Sequence, residues 1–208
     1  MAYRPSEKTK AHKAKLRSQI IDSALLLISE GGFGALTIAA VAQRAGIATG
    51  AIYKHFDSKA QLCAEVFQLA TEKEVAVVKQ AALGEGSPSS RLLNAIEAFA
   101  KRAVHARRLA YALIAEPVDS LVDVERLRYR KMYAEIFQDL VEEGMRTGDF
   151  PNQPASVSAA ALVGAIAEAL IGPLAWPPSD SSISNITDAQ LIQTLQSFCL
   201  RAVALQDL

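Results

Sequence analysis

Cysteine is scarce in this chain: Cys63 and Cys199 are the only two among 208 residues. Two cysteines exclude a disulfide-stapled scaffold and fit a reducing cytosol. The three histidines stand at no spacing to a cysteine that would hold a metal. There is no Gly-rich phosphate loop and no nucleophile motif, so the expectation is a non-enzyme without metal or cofactor. His105 lies beside Arg107 and Arg108 and reads as part of a solvated basic cluster. Net charge is absent too, 22 Lys/Arg against 22 Asp/Glu.

Long apolar runs are almost missing, and the two that come near are not membrane segments. Residues 8–17 are basic and precede IIDSALLLI, but Asp22 interrupts that run and no convincing cleavage site follows. Residues 155–172 approach the length of a span, yet they are rich in Ala, Ser and Gly, contain Glu168 and lack flanking basic residues. They read as a buried helix in a soluble protein. The zero net charge conceals an asymmetry. Residues 1–59 carry nine Lys/Arg and four Asp/Glu, a balance of +5; residues 60–208 carry thirteen and eighteen, a balance of −5. A basic end on an acidic body is the footprint of a polyanion-binding head.

What is present is helical periodicity nearly throughout. The stretch that organises the chain is residues 37–59, TIAAVAQRAGIATGAIYKHFDSK. Ile38, Val41, Ala42 and Ala45 recur at helical spacing behind Thr37, a plausible N-cap. Gly46 follows as a residue able to take the left-handed conformation that ends a helix. A second helix over 49–54 packs back through Ile52. This is the pattern of a helix-turn-helix, whose second helix enters a DNA major groove. Before it, a helix over 13–30 carries the stripe Leu16, Ile20, Ala24, Leu27 and Ile28, with Phe33 and Leu36 as core plugs. Residues 1–11 read as a mobile basic arm, either a solvated tail or a contact to phosphates or the minor groove. Ser58-x-x-Gln61 is a capping box that opens the next helix, running to about 83. Further helices follow over 91–106, 107–115, 120–147, 155–171 and 187–205, about nine in all.

The residues Thr37, Ala42, Ala45, Gly46, Ile47, Gly50, Ile52, Tyr53, His55, Phe56, Lys59 and Leu62 resemble the tetracycline-repressor (TetR) family of bacterial transcription regulators. The Y-x-H-F-x-x-K run at 53–59 is the most specific part, and the motif covers roughly residues 16–65. The resemblance implies an all-α fold, with a three-helix DNA-binding head over 1–60 and a larger ligand-binding and dimerisation body over 61–208. It implies a cytoplasmic, ligand-responsive regulator, most often a repressor, that binds a palindromic double-stranded operator as a homodimer and is released by a small-molecule effector. By the same resemblance, Tyr53, Lys59 and Thr37 contact phosphates. His55 either contacts phosphate or packs, and Thr49 and Gly50 approach base edges. Lys54 touches base or phosphate. Ala39, Ala48 and Ala51 depart from the commoner polar residues of relatives. Specificity is then left to thymine-methyl contacts, Lys54, Arg44 or DNA shape.

The body is where the resemblance places the effector, between helices four to eight. Tyr111, Met132, Phe137 and Trp176 are candidate pocket walls. Glu125 and Arg128 pair with each other or meet a polar ligand. The last two helices are apolar enough to imply a two-fold four-helix interface. Ala160, Gly164, Ala167 and Ile171 lie on one helix of it, and Leu191, Leu195 and Phe198 on the other. Two other function classes stay open: a redox switch using Cys63 or Cys199, and a helical enzyme or adaptor with no DNA role.

Overall fold

A computed structural model of the chain describes residues 7–175 and 186–204. Among them are nine α-helices and no strand. They are α1 (Glu7–Gly31), α2 (Ile38–Ala45), α3 (Thr49–Ile52), α4 (Lys59–Ala82), α5 (Pro88–His105), α6 (Arg107–Ile114), α7 (Ser120–Thr147), α8 (Ala155–Leu174) and α9 (Asp188–Val203). A 3-10 turn, Phe33–Ala35, joins α1 to α2.

Short polar side chains set the helix starts. Thr37, Ser58 and Ser87 accept from the amides of Ala40, Gln61 and Ser90 at 3.1, 3.1 and 3.2 Å, each satisfying a donor the helix itself leaves free. At α9, Thr187 and Gln190 form the reciprocal capping box. The expected box at Ser58 closes differently: Gln61 reaches back to the amide of Asp57, one residue earlier. Helix α5 begins at Pro88, three residues before its expected start, because proline suits the first helical turn and Ser87 caps it.

The mobile-arm expectation for residues 1–11 is corrected from Glu7 onward, since α1 begins there. The stretch is Ala- and Lys-rich, favourable to helix, and Glu7 pairs with Lys10 at 2.8 Å. Residues 1–6, Arg4 among them, lie outside the described residues, as do Trp176 and Leu205.

One continuous hydrophobic core runs from head to body. Ile20, Ala24 and Ile28 of α1 meet Val41, Ala42 and Ile52 of the α2–α3 unit, and Leu62, Val66 and Phe67 carry the core into α4. Helix α7 packs between α4 and α8, α5 lies against α4 and α9, and α6 spans from the body to α1. The reading of 155–171 as a buried helix is half correct. Ala159, Leu162, Ile166 and Leu170 are buried. Only 33% of the most apolar window of α8 is covered, and by length and composition this helix could cross a membrane. Val157 on its other side is 66% exposed.

Candidate nucleic-acid interface and effector cavity

The turn between α2 and α3 follows from one glycine. Gly46 sits at φ 64°, ψ 35°, a conformation that strains any residue with a Cβ. It lets the amides of Ile47 and Gly46 reach the carbonyls of Ala42 and Gln43 at 3.0 and 3.2 Å, the pairing that ends a helix in a Schellman turn. Gln19 of α1 donates to the Ala45 carbonyl at 2.8 Å and holds this end of α2 to its neighbour. Ile52 and Phe56 are buried and anchor the second helix. Arg17 stacks over the Phe56 ring, 4.8 Å from its centroid, and pairs with Glu65 of α4. Helix α3 is one turn long, shorter than expected, because Tyr53, Lys54 and His55 continue as a turn.

These anchors leave one face outward. Thr37, Thr49, Gly50, Tyr53, Lys54 and Lys59 are all exposed, Tyr53 by 54%. Ala48 supplies no side-chain cap to α3. Thr37 caps α2 through its hydroxyl. Arg44 is exposed but committed, with Nη1 and Nη2 donating to the two carboxylate oxygens of Glu30 at 2.7 and 2.6 Å. That pairing lowers the Glu30 carboxyl below its usual range. His55 is half-buried against Phe56, and its Nδ1 is buried without a hydrogen-bond partner among the described residues. Burial, then the cations Lys13, Arg17 and Lys54, lower its pKa and favour the neutral ring.

The body holds a partly open cavity of about 100 Å³. Its walls are Phe67, Thr71, Glu74 and Val78 of α4, with Phe99, Arg102 and Ala103 of α5. Leu109, Ala110, Leu113 and Ile114 of α6 close one side, and Val163, Ile166 and Ala167 of α8 another. From α7 come Arg126, Tyr129, Arg130, Tyr133 and Phe137, a single helical stripe.

Most of the cavity's polar groups are already engaged. The Thr71 hydroxyl donates to the Phe67 carbonyl at 2.8 Å. Arg102 grips Glu74 with two nitrogens, one at 2.7 Å. The Tyr129 hydroxyl lies 3.2 Å from both the Gln68 carbonyl and a Glu72 carboxylate oxygen, and burial pushes its pKa up to about 12. Tyr133 meets Phe99 edge-on at 5.1 Å, and burial raises its hydroxyl pKa further. Arg130 is exposed at the rim with no hydrogen-bond or ion-pair partner among the described residues.

The expected pocket walls need correction. Phe137 lines the cavity, but Tyr111, Glu125, Arg128 and Met132 do not. Glu125 and Arg128 pair with each other at 3.2 Å, and Met132 packs on the core. The α7 stripe that meets the cavity is the adjacent one, about a quarter-turn round the helix from the one chosen. Its arginines alternate with tyrosines at helical spacing, which was the available signal. Tyr111 instead stacks with Arg108, 5.9 Å from its ring centroid. At the expected dimer face, Ala160, Gly164 and Phe198 are exposed, Ile171 and Leu191 are half-buried, and Ala167 and Leu195 are buried within the chain. The last two therefore serve the subunit's own core. Both cysteines are buried, and burial pushes their thiols up to about 11, which leaves little thiolate for redox chemistry.

Comparison with known proteins agrees with the geometry. The family model "Bacterial regulatory proteins, tetR family" matches residues 20–66, spanning α2, α3 and their supports. The transcriptional repressor KstR2 of Rhodococcus jostii is 28% identical over 142 residues, covering 66% of this chain and 69% of that protein. The repressor KstR of Mycolicibacterium smegmatis is 38% identical over 76 residues, covering 36% of this chain and 37% of that protein. Among solved structures, FadR from Bacillus subtilis in complex with stearoyl-CoA has the same fold, with a TM-score of 0.74 at 18% identity over 89% of this chain and 98% of that one. A tetR-family protein from Rhodococcus RHA1 superposes with a TM-score of 0.68 at 20% identity, over 93% and 99%. The exposed helix-turn-helix face, the helical body behind it and these relatives together place the chain in the TetR family of bacterial DNA-binding transcriptional regulators.

Proposed function

We propose that the chain is a homodimeric repressor that binds a palindromic operator through α2 and α3 and releases it when a small amphipathic molecule occupies the α4–α8 cavity. The observation that carries this reading is the pairing of an exposed, cation-bearing α2–α3 face with a largely apolar cavity on the same continuous core. Residues 1–60 act as the reading head and 61–208 as the sensing and pairing body. Tyr53, Lys59 and Thr37 hold phosphates, while Thr49, Gly50 and Lys54 approach base edges. The exposed cations Lys8, Lys10, Lys13 and Lys15 of α1 add phosphate contacts from a rigid helix.

The dimer forms on the uncovered sides of α8 and α9, where Val157, Ala160, Gly164 and Phe198 are exposed. A soluble regulator with so apolar a helix needs a second copy to cover it. The ligand class follows from the cavity's charges. Arg102 is matched by Glu74 and Arg126 is engaged by three backbone carbonyls and Asp123, while Arg130 at the rim has no carboxylate partner among the described residues, so an apolar body with an anionic end fits best. Stearoyl-CoA, which the fold neighbour FadR binds, is such a molecule and the first to test.

Selection from a random duplex pool at fixed salt, followed by sequencing, tests the DNA half. The expected outcome is a palindrome with half-sites about one DNA turn apart. Loss of that complex on adding stearoyl-CoA, with binding seen by calorimetry, tests the effector half. A folded dimer that enriches no sequence would instead favour the helical adaptor reading.

A further inference from the structure

The cavity of about 100 Å³ limits what it can hold. An apolar cavity of about 150 Å³ takes one benzene ring, so a single ring already fills this one. Two fused rings or a long acyl chain exceed it. The walls are aromatic where α5 and α7 meet. Phe99 and Tyr133 stand edge to face with ring centroids 5.1 Å apart, and Phe137 follows one turn further along α7. Edges and faces presented in this way favour an aromatic guest over a saturated one of equal size.

One polar group inside is left over. Tyr133 is only 8% exposed, and its hydroxyl makes no hydrogen bond among the described residues. The other polar side chains inside are spent: Thr71, Tyr129 and Arg126 are bonded to neighbours, and Glu74 and Arg102 to each other. Burial keeps the Tyr133 phenol protonated, so it offers an O–H donor. A buried donor without an acceptor is costly, and a ligand oxygen would relieve that cost. Arg130 lies three residues earlier on the same face of α7, at the rim, with no carboxylate partner among the described residues. One donor within and one uncommitted guanidinium at the mouth suit a single carboxylate, whereas a polyphosphate would need more cations.

We propose that the effector is a single-ring aromatic carboxylate, its ring against Phe99 and Phe137 and its carboxylate taken by the Tyr133 hydroxyl and Arg130. This rests on the reading of the cavity as the effector site and narrows the class from amphipathic molecules to monoanions of ring size. Stearoyl-CoA then serves as the comparison ligand.

Calorimetry on the full-length chain with benzoate, benzamide, 2-naphthoate and stearoyl-CoA tests it. Benzoate should bind about tenfold or more tightly than benzamide, which keeps the ring and loses the charge. It should exceed 2-naphthoate by a similar factor. Without a size limit that order would reverse, because the larger ring buries more apolar surface. Arg130→Gln should close most of the gap between benzoate and benzamide, and Tyr133→Phe should weaken benzoate about tenfold. Phe137→Trp, which fills the cavity, should abolish benzoate binding; Ala103→Leu serves if that variant fails to fold. Tighter binding of 2-naphthoate or stearoyl-CoA than of benzoate overturns the proposal. So does an absence of benzoate binding, or benzoate binding that Arg130→Gln and Tyr133→Phe leave unchanged. Stearoyl-CoA binding that is lost on filling the cavity, with no benzoate binding, defeats the ring carboxylate and leaves the cavity as the effector site. Binding of either ligand that survives filling defeats the cavity reading itself.

Discussion

Arg44 of α2 and Glu30 of α1 form a two-pronged ion pair, 2.7 and 2.6 Å, on the exposed surface of the head. The arginine best placed by sequence to read DNA is therefore shared with a carboxylate. Glu30→Gln removes that competitor and one negative charge. Affinity for any duplex should rise, and the slope of log affinity against log salt should steepen by about one. Filter binding across a salt series measures both, and an unchanged slope would show that Arg44 stays off the DNA.

Lys59 gives the opposite case. It is exposed, opens α4 and has no carboxylate partner in hydrogen-bonding reach among the described residues. Lys59→Ala should weaken specific and non-specific duplexes alike, and flatten the salt slope by about one.

His55 links the head to pH. Its folded pKa is lowered from 6.5, first by burial and then by Lys13, Arg17 and Lys54. The unfolded chain therefore takes up protons first as pH falls through 6.5, and stability declines with falling pH until the folded ring also titrates. Above 6.5 both states are neutral and this contribution is flat. Urea midpoints at about pH 5.5 and about pH 7.5 should differ less in His55→Gln than in the wild type. A phosphate beside the ring reverses the sign for DNA: the bound His55 gains a proton, and operator affinity rises as pH falls through the same window.

Gly46 and Gly32 both have positive φ, 64° and 74°, but their surroundings differ. A Cβ at Gly46 meets nothing within 4 Å, whereas at Gly32 it overlaps Arg108 and Glu116. Gly46→Ala should cost about 1 kcal/mol of backbone strain. Gly32→Ala adds the overlap and a broken ion pair, about 3 kcal/mol in all. Equal denaturant midpoints for the two variants would show that the Arg108–Glu116 pair does not hold this turn.

Phe198, 51% exposed on α9, tests the dimer. Phe198→Glu should leave the subunit folded and weaken association by about 2 kcal/mol or more, roughly thirtyfold in dissociation constant. Sedimentation over a concentration series reads this directly. A monomer–dimer equilibrium that ignores the substitution would move the interface off α9.

Legibility in the sequence followed the range of the interactions. The caps Thr37 and Ser58, the turn at Gly46 and the stripe Ile20, Ala24 and Ile28 depend on neighbours within a turn or two, and the sequence displays them. Where α1 begins is not legible, because an exposed Lys- and Ala-rich segment reads alike as tail or helix. Periodicity puts Phe137 on the cavity, but it offers the stripe of Glu125, Arg128 and Met132 equally, and that stripe faces elsewhere. Periodicity shows that α7 has faces; it does not show which neighbour each face meets.

By itself the sequence determined that this is an all-helical chain with a helix-turn-helix near its start, and which residues that unit turns outward. Short-range hydrogen bonds and glycine sterics act within a few residues, so they can be read in order. Only the tertiary structure decided where the cavity lies, that Arg44 is held by Glu30, and that Arg126, Glu116 and Phe33 stand in one hydrogen-bonded series. Those contacts join residues up to 83 positions apart, as in Phe33 to Glu116. Their geometry is set by how the helices pack, which no local pattern encodes.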